Sequence, residues 1–206
     1  MAFWGAPAHS DNHAVDACRG ALGCLRRLEE LRGQWQRLGR PDFRVRIGLN
    51  TGRVIVGNIG SSERFNYTAV GDPANLAKRL EDLNRLYGTH LIVGQTTYEH
   101  AKYEFVFRRL DTVTVRGRDE PVKIYEVLAE AEGEADAETY AWVKLFESGL
   151  THYEAQGWPA ALEMFRKVIE IRGEDRPSSY FIERCERRLA PEVLRAVASS
   201  GHVAAE

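Results

Sequence analysis

Several things are scarce in this sequence, and each scarcity narrows its reading. Its 206 residues hold three cysteines, at 18, 24 and 185. An odd count without a metal-type Cys-x-x-Cys spacing argues against a disulfide framework and fits reduced thiols in a cytoplasmic setting. There is no excess of either charge: 28 basic and 30 acidic side chains give a net charge of −2. A global attraction to nucleic acid or to anionic lipid is therefore not expected. No apolar run approaches the length of a membrane helix, so membrane contact by this segment is not expected either. GNIGSS at 57–62 has the glycines of a phosphate loop but not its lysine. The histidines at 9, 13, 90, 100, 152 and 202 show no ligand spacing.

What is present is a globular composition, 44% hydrophobic and 28% charged, sufficient for one ordinary domain and a small second one. The opening MAFWGAPA is apolar and strand-like with no basic region before it. It does not read as a signal peptide and is expected to belong to the later part of something longer. Ala2–Trp4 read as the end of a strand. Asp11 reads as the N-cap of a helix reaching about Leu38, with Val15, Cys18, Leu22, Leu25, Leu28 and Leu31 on one stripe. Phe43, Val45, Ile47 and Leu49 alternate with Arg44, Arg46 and Gly48, the period of a half-buried strand. Val54–Val56 starts another strand after the turn at Asn50–Gly52, so the two are expected to pair as a hairpin.

Downstream, Asp72-Pro73 opens a helix burying Leu76, Leu80, Leu83 and Leu86 or Tyr87, and Gly88 closes it. LIVG at 91–94 reads as a short buried strand and 95–103 as a short helix. Strands are expected at Phe105–Leu110, Thr112–Val115 and Val122–Leu128, with a turn at Gly117–Pro121. Residues 130–138, EAEGEADAE, are acidic and free of aromatics, a linker composition. Three helices follow, built on Trp142–Tyr153, Trp158–Ile169 and Tyr180–Leu189.

The stretch YTAVGDPANLAKR at 67–79 places Asn75 and Arg79 four residues apart, on one side of the first two turns of a helix. Asp72 is expected at its N-cap and Pro73 at its first helical position. A guanidinium there offers planar donors to phosphate oxygens, reinforced by the positive helix end, and an amide beside it can hold a hydroxyl or ether oxygen. The plainer alternative pairs Arg79 with Asp82 at i+3 and leaves Asn75 as a solvated first-turn residue.

The run GLNTGRVIVGNIGSSERFNYTAVGDPANLAKRLE resembles the second half of class III adenylate/guanylate cyclase catalytic domains, as do MAFWGAPA and VTVRGRDEPVKIYEVL around it. The pattern is G-D-x-x-N-x-x-x-R after a G-x-x-x-G-x-x-G hairpin, and the resemblance covers residues 1–129. It implies an α+β fold, a ferredoxin-like βαββαβ-derived domain lacking its first strands, followed by the linker at 130–138 and a helical region at 139–206. It also implies cyclisation of a nucleoside triphosphate by its own 3′-hydroxyl, with pyrophosphate leaving. In the family the Asn holds the ribose and the Arg stabilises the charged phosphorus centre, roles that fall on Asn75 and Arg79. Thr68, at the position that helps choose the base, favours ATP. Arg116 or Arg118 lies where the family often places a basic residue for the terminal phosphates.

Three groups of the family are missing from the matching segments: two metal-binding aspartates, one in an F-x-D-I-x-G-F type segment and one in a Gly-Asp pair, and a base-recognising lysine. In the family all three precede the M-A-F-W-G run, and Asp11, Asp16 and Asp42 do not replace them. The implied cofactors, two Mg2+ or Mn2+ ions, belong to a complete site only. Such sites form between two catalytic domains, so a homodimer of this chain brings together two Asn/Arg halves. The chain alone is expected to be inactive and to need a partner cyclase domain. A membrane anchor in a complete protein would lie upstream. The alternative is a catalytically incompetent module that pairs with an intact cyclase. GLTHYEAQGWPAALEMFRKVIEI at 149–171 resembles a tetratricopeptide unit, which implies a structural cap or a peptide-binding or dimerising module.

Overall fold

The computed structural model describes residues 1–61, 64–114, 120–132 and 136–200. The chain divides into two compact units, Met1–Ala135 and Asp136–Glu206.

In the first unit a long helix, α1 (His13–Arg37), precedes strands β1 (Ile47–Leu49), β2 (Ile55–Ser61) and β3 (Arg64–Val70). Helix α2 (Asp72–Tyr87), strand β4 (Leu91–Gly94), helix α3 (Gln95–Ala101) and strands β5 (Phe105–Val113) and β6 (Val122–Glu130) follow. The main sheet has the order β1-β4-β6-β5, with β1 parallel to β4 and the other pairings antiparallel. Strands β2 and β3 form a separate two-stranded ribbon. The mixed α+β class is the one the sequence predicts.

One face of the main sheet carries α1 and α3. Cys18, Ala21 and Leu22 of α1 pack with Leu91, Val93, Phe105, Phe107, Tyr125 and Val127, the alternate residues of three strands. On α2 the buried positions are Leu76, Leu80, Asn84 and Tyr87, whereas Leu86 is exposed and Leu83 only half-buried. Asn84 is fully buried because its amide is satisfied: Nδ2 donates to the Ile47 carbonyl at 3.0 Å, and Oδ1 accepts from the Thr89 hydroxyl at 2.8 Å. Gly88 ends α2 in the left-handed region, as its position predicts.

Several expectations are corrected. Ala2–Trp4 forms no strand, because no neighbouring strand hydrogen-bonds to it. The cap of α1 is Asn12 rather than Asp11, and it makes no side-chain capping bond. The alternating stretch 43–49 is a strand only from Ile47, where the ladder starts with Ile47 N–H donating to the His90 carbonyl; Phe43 and Val45 stay exposed. The expected hairpin between 43–49 and 54–56 does not form: β1 pairs with β4 and β2 with β3. Thr112–Val113 continue β5 through a bulge instead of starting a new strand. The turn at Gly117–Pro121 lies mostly outside the described residues.

The second unit consists of α4 (Ala137–Glu154), α5 (Trp158–Arg172) and α6 (Arg176–Ser200). Asp136 caps α4, accepting from Thr139 N–H at 2.8 Å, and Asp175 accepts from Ser178 N–H at 3.0 Å in the first turn of α6. Phe146, Phe165 and Phe181, one from each helix, form the centre of its core with ring centroids 5.1–6.0 Å apart. Among the described residues no helix is long and apolar enough to cross a membrane.

All three cysteines are free, and two are buried. Burial pushes the Cys18 thiol up to about 12, and the Cys185 thiol up to about 11, so neither forms thiolate readily near neutrality. A disulfide-type thiol reagent at pH 8 is expected to modify one thiol rapidly, Cys24, and the other two only on unfolding. Rapid titration of two or three thiols in the folded chain would contradict the packing around Cys18 and Cys185.

Candidate active site

The ribbon β2–β3 leads directly into α2, and this junction carries most of the residues singled out from the sequence. Gly71 is the N-cap, with φ 154° and ψ 168°, a conformation glycine adopts far more readily than other residues. Asp72 is therefore the first helical residue and not the cap, with Pro73 behind it in the first turn. Asn75 is exposed in that turn, and Arg79 is half-buried one turn on. Their spacing of four puts both side chains on one side of the helix, near its positive end.

Arg79 does not pair with Asp82. That carboxylate accepts from Lys78 Nζ at 2.9 Å, and Lys78 also binds Glu81. Glu81 in turn accepts from Arg46 Nε at 3.2 Å. The hydrogen bond from Lys78 is the main cause holding the Glu81 carboxyl below its ordinary range, and the same bond raises the Lys78 ammonium. With the neighbouring acids engaged in this way, Arg79 Nη1 is buried and has no hydrogen-bond partner. An unpartnered buried guanidinium donor costs about 1–3 kcal/mol relative to a satisfied one. Asn75 is exposed, as the plainer alternative has it, and its side chain makes no hydrogen bond to another described residue.

Thr68 lies near the end of β3, half-buried, paired across the ribbon with Gly57. Its hydroxyl donates weakly to Met1 Sδ at 3.7 Å. The same face of the ribbon carries Ile55 and Val70, which pair with each other and are 75% and 50% exposed. Phe65 and Tyr67 on the other face are also exposed. So much open apolar surface on an isolated ribbon marks an interaction surface. Arg116 and Arg118 lie outside the described residues.

A cavity of about 1010 Å3 opens elsewhere in this unit, between α1, the edge of β1 and the first turns of α2. Trp4, His13, Asn50, Arg53 and Lys78 line it, but Thr68, Asn75 and Arg79 do not. Among the described residues no group of three or more His, Cys, Asp or Glu side chains could hold a metal ion.

Comparison with known proteins gives the family of this unit. The family described as "Adenylate and Guanylate cyclase catalytic domain" matches residues 1–129. Adenylate cyclase 1 of Rhizobium meliloti is 41% identical over 128 residues, which are 62% of this chain and 19% of that protein. The terminal-differentiation specific adenylate cyclase of Dictyostelium discoideum is 33% identical over 178 residues, 84% of this chain and 8% of that protein. Thus the chain spans a fifth or less of the length of these two relatives. Among solved structures, the guanylyl cyclase Cya2 matches with a TM-score of 0.55 and 33% identity, covering 63% of this chain and 65% of its own. The adenylyl cyclase CyaB from P. aeruginosa matches with a TM-score of 0.56 and 29% identity, covering 65% and 68%.

Proposed function

The chain belongs to the adenylate and guanylate cyclase catalytic domain family, and from that premise we propose that it serves the conversion of ATP to 3′,5′-cyclic AMP and pyrophosphate, supplying the Asn75–Arg79 half of the site. The observation that carries this reading is the buried, unpartnered Nη1 of Arg79 at the start of α2. In the reaction the ribose 3′-oxygen attacks the α-phosphorus, and the bond to the pyrophosphate oxygen breaks. Negative charge grows on the oxygens of a five-coordinate phosphorus and on the leaving group. Arg79 donates to those oxygens from a fixed position, and the positive end of α2 adds to the field. Asn75 binds a ribose oxygen and fixes the direction of attack. Thr68 donates to or accepts from the purine edge, which favours ATP.

The described residues do not supply a donor set for metal ions. We assign the metal-binding half, with its two Mg2+ or Mn2+ ions, to a partner cyclase domain. The exposed Ile55, Val70, Phe65 and Tyr67 of the ribbon support such pairing. They would meet the partner's surface beside the Thr68 and Asn75–Arg79 positions.

The test is complementation. The full chain is mixed with the catalytic domain of the Rhizobium meliloti adenylate cyclase whose own counterpart of Arg79 is replaced by alanine, and cyclic AMP is measured. Mixing is expected to restore activity that neither component has alone, with ATP preferred over GTP. Co-purification without recovered activity would favour the second reading, a cyclase-like module that binds an intact partner. Replacing Thr68 by valine is expected to weaken the preference for ATP, and an unchanged preference would remove Thr68 from the site.

A further inference from the structure

We infer that Asn50 is a positioning residue for this reaction, a clamp that fixes the first turn of α2 and through it Asn75 and Arg79. The inference rests on the functional reading above.

Asn50 follows β1 directly, and its side-chain Nδ2 donates to the Pro73 carbonyl at 3.1 Å. Pro73 stands between the Gly71 cap and Asn75, so this bond reaches the turn that presents the amide and leads to the guanidinium. The other end of the carboxamide is seated as closely. A Cβ on Gly94, the last residue of β4, would stand 2.5 Å from Asn50 Oδ1, so the amide occupies space that only glycine leaves open. A Cβ on Gly52 would stand 2.5 Å from Pro73 Cγ, so the turn after Asn50 also lies against the proline. Between these two residues Thr51 is tied down as well, its hydroxyl 3.0 Å from that of Thr97, a buried residue of α3.

The sequence Asn-Thr-Gly at 50–52 thus links three elements: β4 under the amide, α3 through the threonine pair, and α2 through Pro73. None of the three residues need touch a nucleotide to act in this way. A helix starting at a glycine cap has no side-chain cap of its own, and the Asn50 bond supplies an external anchor to its first turn. Positional error here carries directly into catalysis, since a displacement of about 1 Å at a reacting group can cost 10²-fold in rate.

The experiment compares Asn50→Leu, which keeps the branched shape and removes the donor, with Asn50→His, whose Nδ1 sits one bond from Cγ like the lost amide nitrogen. Two quantities are read on the full chain: amide hydrogen exchange of residues 76–79, and kcat and KM in the complementation assay. Asn50→Leu is expected to speed exchange of these amides on the order of tenfold without changing that of β5 and β6. It is expected to lower kcat by about tenfold or more with KM nearly unchanged. Asn50→His recovers most of both losses, and Gly94→Ala, which evicts the amide, reproduces the leucine variant. Unchanged exchange in Asn50→Leu overturns the clamp whatever the activity. So does a histidine variant no better than leucine, or a loss spread evenly over the whole domain. If the exchange result holds but Arg79→Ala leaves complementation intact, the clamp stands and the assignment of the site falls.

Discussion

Arg79→Ala is expected to lower turnover in the complementation assay by about 10²- to 10³-fold, with nucleotide affinity changed by less than about threefold. The asymmetry follows from where the charge appears. The ground-state triphosphate carries most of its charge on the β- and γ-phosphates. The oxygens around the α-phosphorus gain further charge as the 3′-oxygen bonds and pyrophosphate departs. A donor aimed at the second location acts mainly in the transition state. Arg79 is suited to this because its neighbours do not compete for it: Lys78 holds Asp82 and Glu81, and Nη1 stays unpartnered inside the fold. Arg79→Lys keeps the charge but not the planar fork, and should still lose about tenfold. Parallel losses of affinity and turnover, read from titration with a fluorescent ATP analogue beside the kinetics, would show that Arg79 binds the ground state and that its assigned role is wrong.

The candidate site was legible in the sequence to an uneven degree. Asp72-Pro73 announced a helix start, and the spacing of Asn75 and Arg79 put them on one side of it, because both signals are local. The ambiguity over Arg79 was not resolvable locally. Asp82 stands at a suitable distance along the chain, and only the side-chain arrangement gives it to Lys78. The shift of the cap from Asp72 to Gly71 is of the same kind, a one-residue choice decided by backbone geometry. From the sequence Asn50 is only part of a turn. Its partners lie 23 residues away at Pro73 and across the sheet at Gly94, and no periodicity reports such contacts.

The fold divides along similar lines. Helices α1 and α2 and strand β4 follow from apolar spacing and from glycine at the ends. The pairing of strands does not. Residues 43–49 and 54–56 look like the arms of a hairpin, yet β1 runs parallel to β4 and β2 turns back on β3. Register and partner are set by long-range packing, here by α2 lying against β1, which a strand's own alternation cannot encode. The alternation of Phe43 and Val45 promised burial that the edge position of β1 does not provide, since no strand lies on that side among the described residues.

That contact between β1 and α2 gives the second large effect. Gly48, in the middle of β1, faces the helix so closely that a Cβ would stand 2.2 Å from the Ala77 carbonyl oxygen, 2.3 Å from Glu81 N and 2.9 Å from the Leu80 carbonyl carbon. All three are backbone atoms of a regular helix, so no side chain can rotate away to make room. Gly48→Ala must push α2 off the strand or pull β1 from β4, and overpacking of this kind costs about 1–3 kcal/mol and occasionally more. Displacing α2 by even about 1 Å also moves Asn75 and Arg79, so complementation activity should fall by up to 10²-fold in protein that remains folded. Gly23 provides the control. It lies within α1, a Cβ there meets nothing within 4 Å, and Gly23→Ala should stabilise the helix by up to about 1 kcal/mol. Urea unfolding of the two variants should therefore move in opposite directions, with activity lost only in Gly48→Ala. A Gly48→Ala protein with unaltered stability and full activity would mean that α2 does not lie against β1, and the support proposed for Arg79 would go with it.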